Sequence, residues 1–558
     1  MSKYVIGIDF GTLSGRALLI DTSDGTEICS AEFVYPHGVM DEFLSDGFTR
    51  LPPNYALQDP MDYIAVIEST CPKILSDSGV SPEDIIGIGI DFTSCTIMPV
   101  RADGTPLCTD PKYVHIPHAY PKLWKHHAAQ PYATKFTEIA QSSEYDFLKY
   151  FGGKMSAEFA IPKIWQVLEE APKIYEDCEF FIEGSDWIVW QLCGNHTRNI
   201  TAAGYKACYN KNSGFPPENF FSSLDPRLST LVKDKIKAPV SLLGTCAGGL
   251  TSEMAKKTGL PEGIAVCVGN VDGHAMVPGV AITKPGEMLM VMGTSSCQML
   301  LSDKLVEVPG IMGVVEDGMM PGYYGYESGQ AGFGDHYAWF MKNALPYSYK
   351  EASNREGISD YDYVVRLAEK LAPGESGLIA LDWWNGNRSV LNDTDLTGAI
   401  FGMTLLTKPE EIFRALVEAT AFGTKTIIEN YRQYGLKTDV IIAAGGIAEK
   451  NPFIMQVFAD ILNIEISISG SPYAAALGAG IFASVAAGKD AGGWDTPEEA
   501  ALHMGKRKDI VYRPIPENVI VYKSLYEQYI RLHDVFGRDE NSVIKKLISI
   551  RNEQLNKK

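Results

Sequence analysis

Val5-Ile6-Gly7-Ile8-Asp9-Phe10-Gly11-Thr12-Leu13-Ser14-Gly15-Arg16 is a short apolar run that ends on a carboxylate and then turns through two glycines. The apolar residues 4–8 read as a buried strand, and Arg16-Ala17-Leu18-Leu19-Ile20 resumes the strand pattern. Gly11 to Gly15 is therefore expected to form a hairpin turn. Such a turn directs successive backbone N–H groups outward and makes a concavity that binds anions. Thr12 and Ser14 add hydroxyls, and Asp9 offers the oxygen that a hard cation such as Mg²⁺ prefers. Read alone, the segment also fits a hairpin whose Asp bonds only its own turn.

The device recurs where Met288-Leu289-Met290-Val291-Met292 leads into Gly293-Thr294-Ser295-Ser296. Two such turns, far apart in the chain, point to two domains of related design on either side of a cleft that holds a polyphosphate. Thr283-Lys284-Pro285-Gly286 breaks the pattern between them. The expected divisions are 1–283, 284–492 and a helical extension over 493–558. Strands near 85–90 and 264–268 alternate with helical segments near 62–75 and 162–170, an α/β arrangement. Val440-Ile441-Ile442-Ala443-Ala444 ends in Gly445-Gly446 and leads to a helix expected over 452–462. Residues 474–488 read as a buried helix, too short to span a bilayer. From Glu517 the chain reads as one or two amphipathic helices with a charged, frayed end at 554–558.

At 558 residues the chain exceeds a single core. A formal net charge of −20 disfavours nonspecific binding to nucleic acid or an anionic membrane. The ten cysteines lie between Cys29 and Cys297 without a C-x-x-C pair, which fits reduced thiols in the cytoplasm rather than disulfides or a zinc ribbon. A strand that starts this early leaves no room for a signal peptide.

Several further stretches carry chemistry. Asp272, in Val266-Cys267-Val268-Gly269-Asn270-Val271-Asp272-Gly273-His274, follows a strand and precedes a helix. It suits a helix N-cap, a general base at the carboxyl end of a strand, or both. Thr93-Ser94-Cys95-Thr96 is a run of small polar side chains suited to a polyhydroxylated ligand, or to a self-satisfied turn. Trp124 offers a flat face to a sugar or packs in a core. Lys206 reads as an ordinary surface lysine. Glu327 lies among closely spaced glycines, where a backbone admits a ligand. Gly445-Gly446 is a candidate wall for adenine and ribose. His115, His118, His126 and His127 match no zinc spacing and read as isolated or surface side chains.

Asp9-Phe10-Gly11-Thr12, Asp272-Gly273-His274, Gly293-Thr294-Ser295 and Gly445-Gly446-Ile447-Ala448, in this order and spacing, resemble the FGGY carbohydrate kinases over nearly the whole chain. Leu123-Trp124-Lys125, Ala203-Gly204-Tyr205-Lys206, the stretch from Glu327 to Asp335 and Leu381-Asp382-Trp383-Trp384-Asn385-Gly386 resemble the members that act on L-ribulose. The resemblance implies an α/β fold of two ribonuclease-H-like domains, of the actin and hexokinase type, flanking a nucleotide and sugar cleft. It implies transfer of the γ-phosphoryl group of ATP, with Mg²⁺, to the 5-hydroxyl of L-ribulose.

Under that resemblance Asp272 is the catalytic base and Asp9 holds Mg²⁺ through water. Gly11, Thr12, Ser14, Arg16, Gly293, Thr294 and Ser295 surround the phosphates, and Gly334, Gly445, Gly446 and Asn451 line the nucleotide's other end. Ser94, Cys95, Thr96, Trp124, Lys206, Asp272 and Glu327 fall to the sugar, which moves Lys206 from surface to site. Xylulose-specific members tend to carry Gly-Gln-Met-His and glycerol kinases Asn-Gln-Arg-Glu where this chain has Thr93-Ser94-Cys95-Thr96, so both substrates are disfavoured. D-Ribulose, D-xylulose and ribitol stand as alternative acceptors, and an actin-like switch ATPase as an alternative of another class. A homodimer is the assembly that the family implies.

Overall fold

Two seven-stranded sheets built to one order organise the chain. The structure is a computed structural model and describes residues 2–539 and 542–555. In the first sheet Tyr4–Phe10 pairs antiparallel with Ser14–Asp21 and parallel with Ile85–Phe92. Glu27–Val34 lies outside the hairpin, and Ala265–Cys267 continues the parallel side. In the second sheet Glu287–Met292 pairs antiparallel with Ser296–Ser302 and parallel with Val440–Ala444. Tyr324–Gln330 flanks that hairpin and Ile466–Ser469 continues the parallel side. Counted within each half, both sheets run 3-2-1-4-5, the ribonuclease-H-like order, with extra antiparallel strands at their edges and, in the first sheet, the short strand Asn270–Val271 parallel to Ile85–Phe92.

Local chemistry explains these elements. Val5, Ile6, Ile8 and Phe10 are all buried, as a central strand covered on both faces requires. The turn closes where the Gly11 N–H donates to the Ser14 carbonyl at 3.0 Å. Helix Pro60–Ser78, packed on the hairpin, starts where the Asp59 side chain accepts from the Met61 N–H and stops at Gly79, φ +67°.

Helix Ala474–Ala487 belongs by position to the second half but packs on the first sheet and on helix Asp272–Gly279. Backbone meets backbone there: a Cβ on Gly478 would lie 1.7 Å from the Ala275 carbonyl oxygen, and one on Gly7 1.8 Å from that of Ala476. Overpacking a core typically costs about 1–3 kcal/mol, and here only backbone movement could relieve it. Gly478→Ala is therefore expected to lower the thermal midpoint by several degrees; an unchanged melting curve would show that the contact is looser than described.

Among the described residues no helix is long and apolar enough to cross a membrane. The tail forms helices Pro516–Gly537 and Val543–Leu555. Gln554 and Leu555 thus continue a helix rather than fray, and the remainder of the end expected at 554–558 lies outside the described residues. Two histidines depart from the isolated or surface reading. His118 Nε2 is 2.9 Å from the Tyr55 hydroxyl and His126 Nε2 is 2.9 Å from Gln166 Oε1, and both rings are buried. Their partners are distant in sequence, so spacing could not reveal them. Burial pushes His118 down to about 4, which keeps it neutral.

Candidate active site

The carboxyl ends of the central strands open on one cavity of about 420 Å³. From the first half Asp9, Gly11, Thr12 and Asp272 reach it, and from the second Gly293, Thr294 and Ser295. The hairpin turns of the two sheets therefore face one cavity, because both follow the first strand of the same topology.

Three carboxylates gather beneath the turns. Asp9 and Asp91 are register partners on adjacent parallel strands, and Val271, which precedes Asp272, pairs with Phe92. Asp91 is fully buried, with no hydrogen bond to either oxygen among the described residues. Burial, with the Asp9 charge added, pushes Asp91 well above the usual carboxylate range. Burial likewise raises Asp9, and burial together with the Asp9 charge raises Asp272 to about 7.

Asp272 does not cap its helix. Val271 occupies the N-cap, and Asp272 is the first helical residue, its Oδ1 accepting from the Gly273 N–H at 2.7 Å. Oδ2 carries no such bond among the described residues and the side chain lines the cavity. A carboxylate raised toward neutral pH is well matched to general-base work. Crowded, buried oxygen donors suit a hard cation, yet no three His, Cys, Asp or Glu side chains among the described residues are grouped to hold one directly. The donor set fits an ion that keeps waters and takes further oxygens from phosphate, as Mg²⁺ does.

On the opposite wall Lys206 ends helix Ile200–Ala207 and is 2% exposed, contrary to a surface lysine. Its Nζ lies 2.9 Å from Oε2 of Glu327, which projects from strand Tyr324–Gln330 of the second sheet. Burial alone would neutralise both groups, but each outweighs it for the other: Lys206 is held above its ordinary value and Glu327 well below. His274 Nε2 stands 3.5 Å from Glu327 Oε2, with its ring stacked on Tyr205 at 4.4 Å.

Ser94 also lines the cavity, whereas Cys95 and Thr96 do not. The Thr96 hydroxyl donates to the Thr93 carbonyl at 3.1 Å, and burial pushes the Cys95 thiol up to about 12. Buried Lys163 ties this loop down by donating to the Cys95 carbonyl at 2.6 Å and to that of Leu123 at 2.9 Å. Trp124 does both, packing its partly buried ring against the core of the first half and lining the cavity, with Nε1 donating to Thr12 Oγ1 at 3.2 Å.

Arg16 reaches the cavity while bonded to Glu32 at 2.7 Å and lying over the Tyr473 ring. Ser14 turns away, donating to Glu32 at 2.8 Å. Gly334 starts helix Gly334–Asn343, and its N–H donates to the Gly293 carbonyl at 3.0 Å. Gly445, at φ +98°, opens the turn into helix Gly446–Lys450, and Gly446 has open space beside it. Asn451 is engaged as a helix cap, accepting from the Ile454 N–H at 3.0 Å and donating to the Tyr361 hydroxyl at 3.1 Å. Ser14, Gly334, Gly445, Gly446 and Asn451 thus lie outside the cavity wall.

Asp91, Glu158, His274 and Arg388 belong to this region without having been singled out as site residues. Asp91 carries the same signal as Asp9, an acid ending an apolar strand. Glu158 and Arg388 sit in no motif and become visible only in three dimensions.

The N-terminal domain of the FGGY family of carbohydrate kinases matches residues 4–279, and its C-terminal domain residues 288–487. A ribulokinase of Bacillus licheniformis is 54% identical over 542 residues, 97% of this chain and 98% of that protein. A ribulokinase of Geobacillus thermodenitrificans is 52% identical over 545 residues, 98% of this chain and 96% of that protein. Among solved structures, a ligand-bound xylulose kinase from Lactobacillus acidophilus superposes with a TM-score of 0.79 at 18% identity, covering 95% of this chain and 98% of that one, a likeness of fold.

Proposed function

The chain belongs to the FGGY family of carbohydrate kinases, and on that footing we propose that it transfers the γ-phosphoryl group of ATP to the 5-hydroxyl of L-ribulose, as in L-arabinose catabolism. The observation that carries this reading is Asp272, raised to about 7, in one cavity with both glycine turns and the Lys206–Glu327 pair. The identity to ribulokinases supports ribulose as the acceptor. Absence of disulfides among the ten cysteines and of a membrane-spanning helix among the described residues suits work in the cytoplasm.

Phosphoryl transfer asks the protein mainly for positioning and charge stabilisation. Asp272 takes the proton of the attacking hydroxyl. Thr12, Thr294 and Ser295 hold phosphate oxygens through N–H and hydroxyl donors, Gly11 and Gly293 close the two turns with their own N–H groups and leave the backbone bare beside the phosphates, and Arg16 supplies positive charge. Asp9 would hold a hydrated Mg²⁺, which would supply positive charge against the phosphates. Lys206, Glu327 and Ser94 hold the ketose with its terminal hydroxyl toward Asp272, and Trp124 covers it.

A coupled ADP-release assay across L-ribulose, D-ribulose, L-xylulose, D-xylulose, ribitol and glycerol tests the proposal. Highest kcat/KM with L-ribulose is expected; an ADP rate indifferent to sugar would point instead to a switch ATPase. Thr294→Ala removes one donor to a charged phosphate, worth about 1.5–3 kcal/mol. It is expected to weaken ATP by roughly 10–100-fold while leaving the KM for sugar near wild type; an unchanged ATP titration would count against the role of Thr294.

A further inference from the structure

Among the described residues, Lys206–Glu327 is one of two lysine or arginine ion pairs that cross the cavity between the halves. The second joins Glu158, just ahead of helix Ala160–Glu170, to Arg388, 230 residues away, with Arg388 Nη2 3.2 Å from Glu158 Oε1. Both side chains are largely enclosed, at 15% and 19% exposure. Both line the 420 Å³ cavity and also an adjoining groove of about 620 Å³, so the pair stands at the boundary between the two spaces.

Each member is tied to the other pair. Glu158 precedes Phe159, whose ring lies 5.5 Å from the Lys206 ammonium. Arg388 precedes Ser389, whose Oγ accepts from the N–H of Gly329, two residues beyond Glu327 on the same strand. The polarities oppose one another. The first half supplies the cation in one pair and the anion in the other, so both pairs are formed together only in one register of the halves. Lys154 Nζ, donating to the Asn392 carbonyl at 2.9 Å, and Lys149, 2.7 Å from Glu307, extend the same seam outward.

We propose that Glu158 and Arg388 form a clasp that closes the sugar end of the cavity and holds Glu327 and Lys206 in the register that sets the ketose against Asp272. Both are positioning residues, acting through the pair that meets the sugar. The inference rests on the sugar-kinase reading above. With the clasp open, water takes the place of the sugar hydroxyl: its oxygen attacks the γ-phosphorus, the bond to the β–γ bridging oxygen breaks, and ADP, inorganic phosphate and a proton leave.

The test measures KM for L-ribulose, KM for ATP, and ADP released per sugar phosphate formed, in wild type, Glu158→Gln, Arg388→Met, Arg388→Lys and the exchanged double variant Glu158→Arg/Arg388→Glu. The single neutral variants are expected to lose about 10–100-fold in kcat/KM for sugar, the scale of a small misplacement. Their KM for ATP should stay near wild type, and ADP should exceed sugar phosphate. Arg388→Lys and the exchanged pair should each recover coupling relative to Arg388→Met. Neutral variants that keep wild-type sugar KM and one ADP per sugar phosphate would overturn the clasp alone, as would an exchanged pair no better than the singles while its melting curve matches theirs. A wild type whose ADP release ignores sugar would remove the kinase reading and the clasp with it.

Discussion

Asp272→Asn is expected to lower kcat by about 10²–10⁴, the range lost with a general base, while ATP binding measured by titration stays within a few fold of wild type. The substitution keeps the shape and the Oδ1 acceptor for the Gly273 N–H. It removes the oxygen that takes the proton. Near-normal turnover in Asp272→Asn would overturn the assignment. The same residue sets a pH dependence with a definite sign. Burial first, then the Asp9 charge, raises Asp272 to about 7. The base works only when ionised, so kcat/KM for the sugar should rise with pH through that region and level off above it. Asp9 contributes by like charge, so Asp9→Asn should shift the acid limb to lower pH. An acid limb that ignores Asp9→Asn would place the controlling titration elsewhere.

Lys206→Met should produce the next largest effect, in stability as well as activity. It leaves Glu327 buried without its cation, and breaking a buried pair in this way typically costs about 3–5 kcal/mol. Lys206→Met/Glu327→Leu, which removes both charges, should regain much of the thermal midpoint lost by the single variant but none of the sugar-dependent turnover. Recovery of both stability and activity would reduce the pair to a structural element. Glu327 is held below its ordinary value of 4.5, so its contribution to stability is present above that pH and fades as pH falls through and below it.

The strands ending near Asp9 and Met292 and the hairpin turns that follow them were legible because each device is local: a strand, its terminal residue and the turn that follows are contiguous. Helices 452–462 and 474–488 were legible for the same reason, one following an apolar strand and its glycine turn, the other from its run of Ala and Gly. The placement of Cys95, Thr96 and Asn451 outside the cavity wall was not. A small polar side chain reads alike whether it faces a ligand or closes its own turn, and only the tertiary hydrogen bonds separate the two. Lys206 on a helix looks like any solvated lysine until strand Tyr324–Gln330 brings Glu327 to within 2.9 Å of it.

Sequence by itself determined the α/β class, the repeated strand-and-turn unit, the acids that end the strands and, through resemblance, the kinase family. Each rests on short-range pattern, where apolar periodicity and glycine conformation act over a few residues. Tertiary structure alone decided that helix Ala474–Ala487 crosses to the first sheet through glycines 7 and 478, that Asp91 lies beside Asp9 on the adjacent strand, and that two ion pairs of opposite polarity bridge the cavity. These contacts join residues hundreds of positions apart. Their energies come from burial and charge pairing, which exist only once the chain has closed around them.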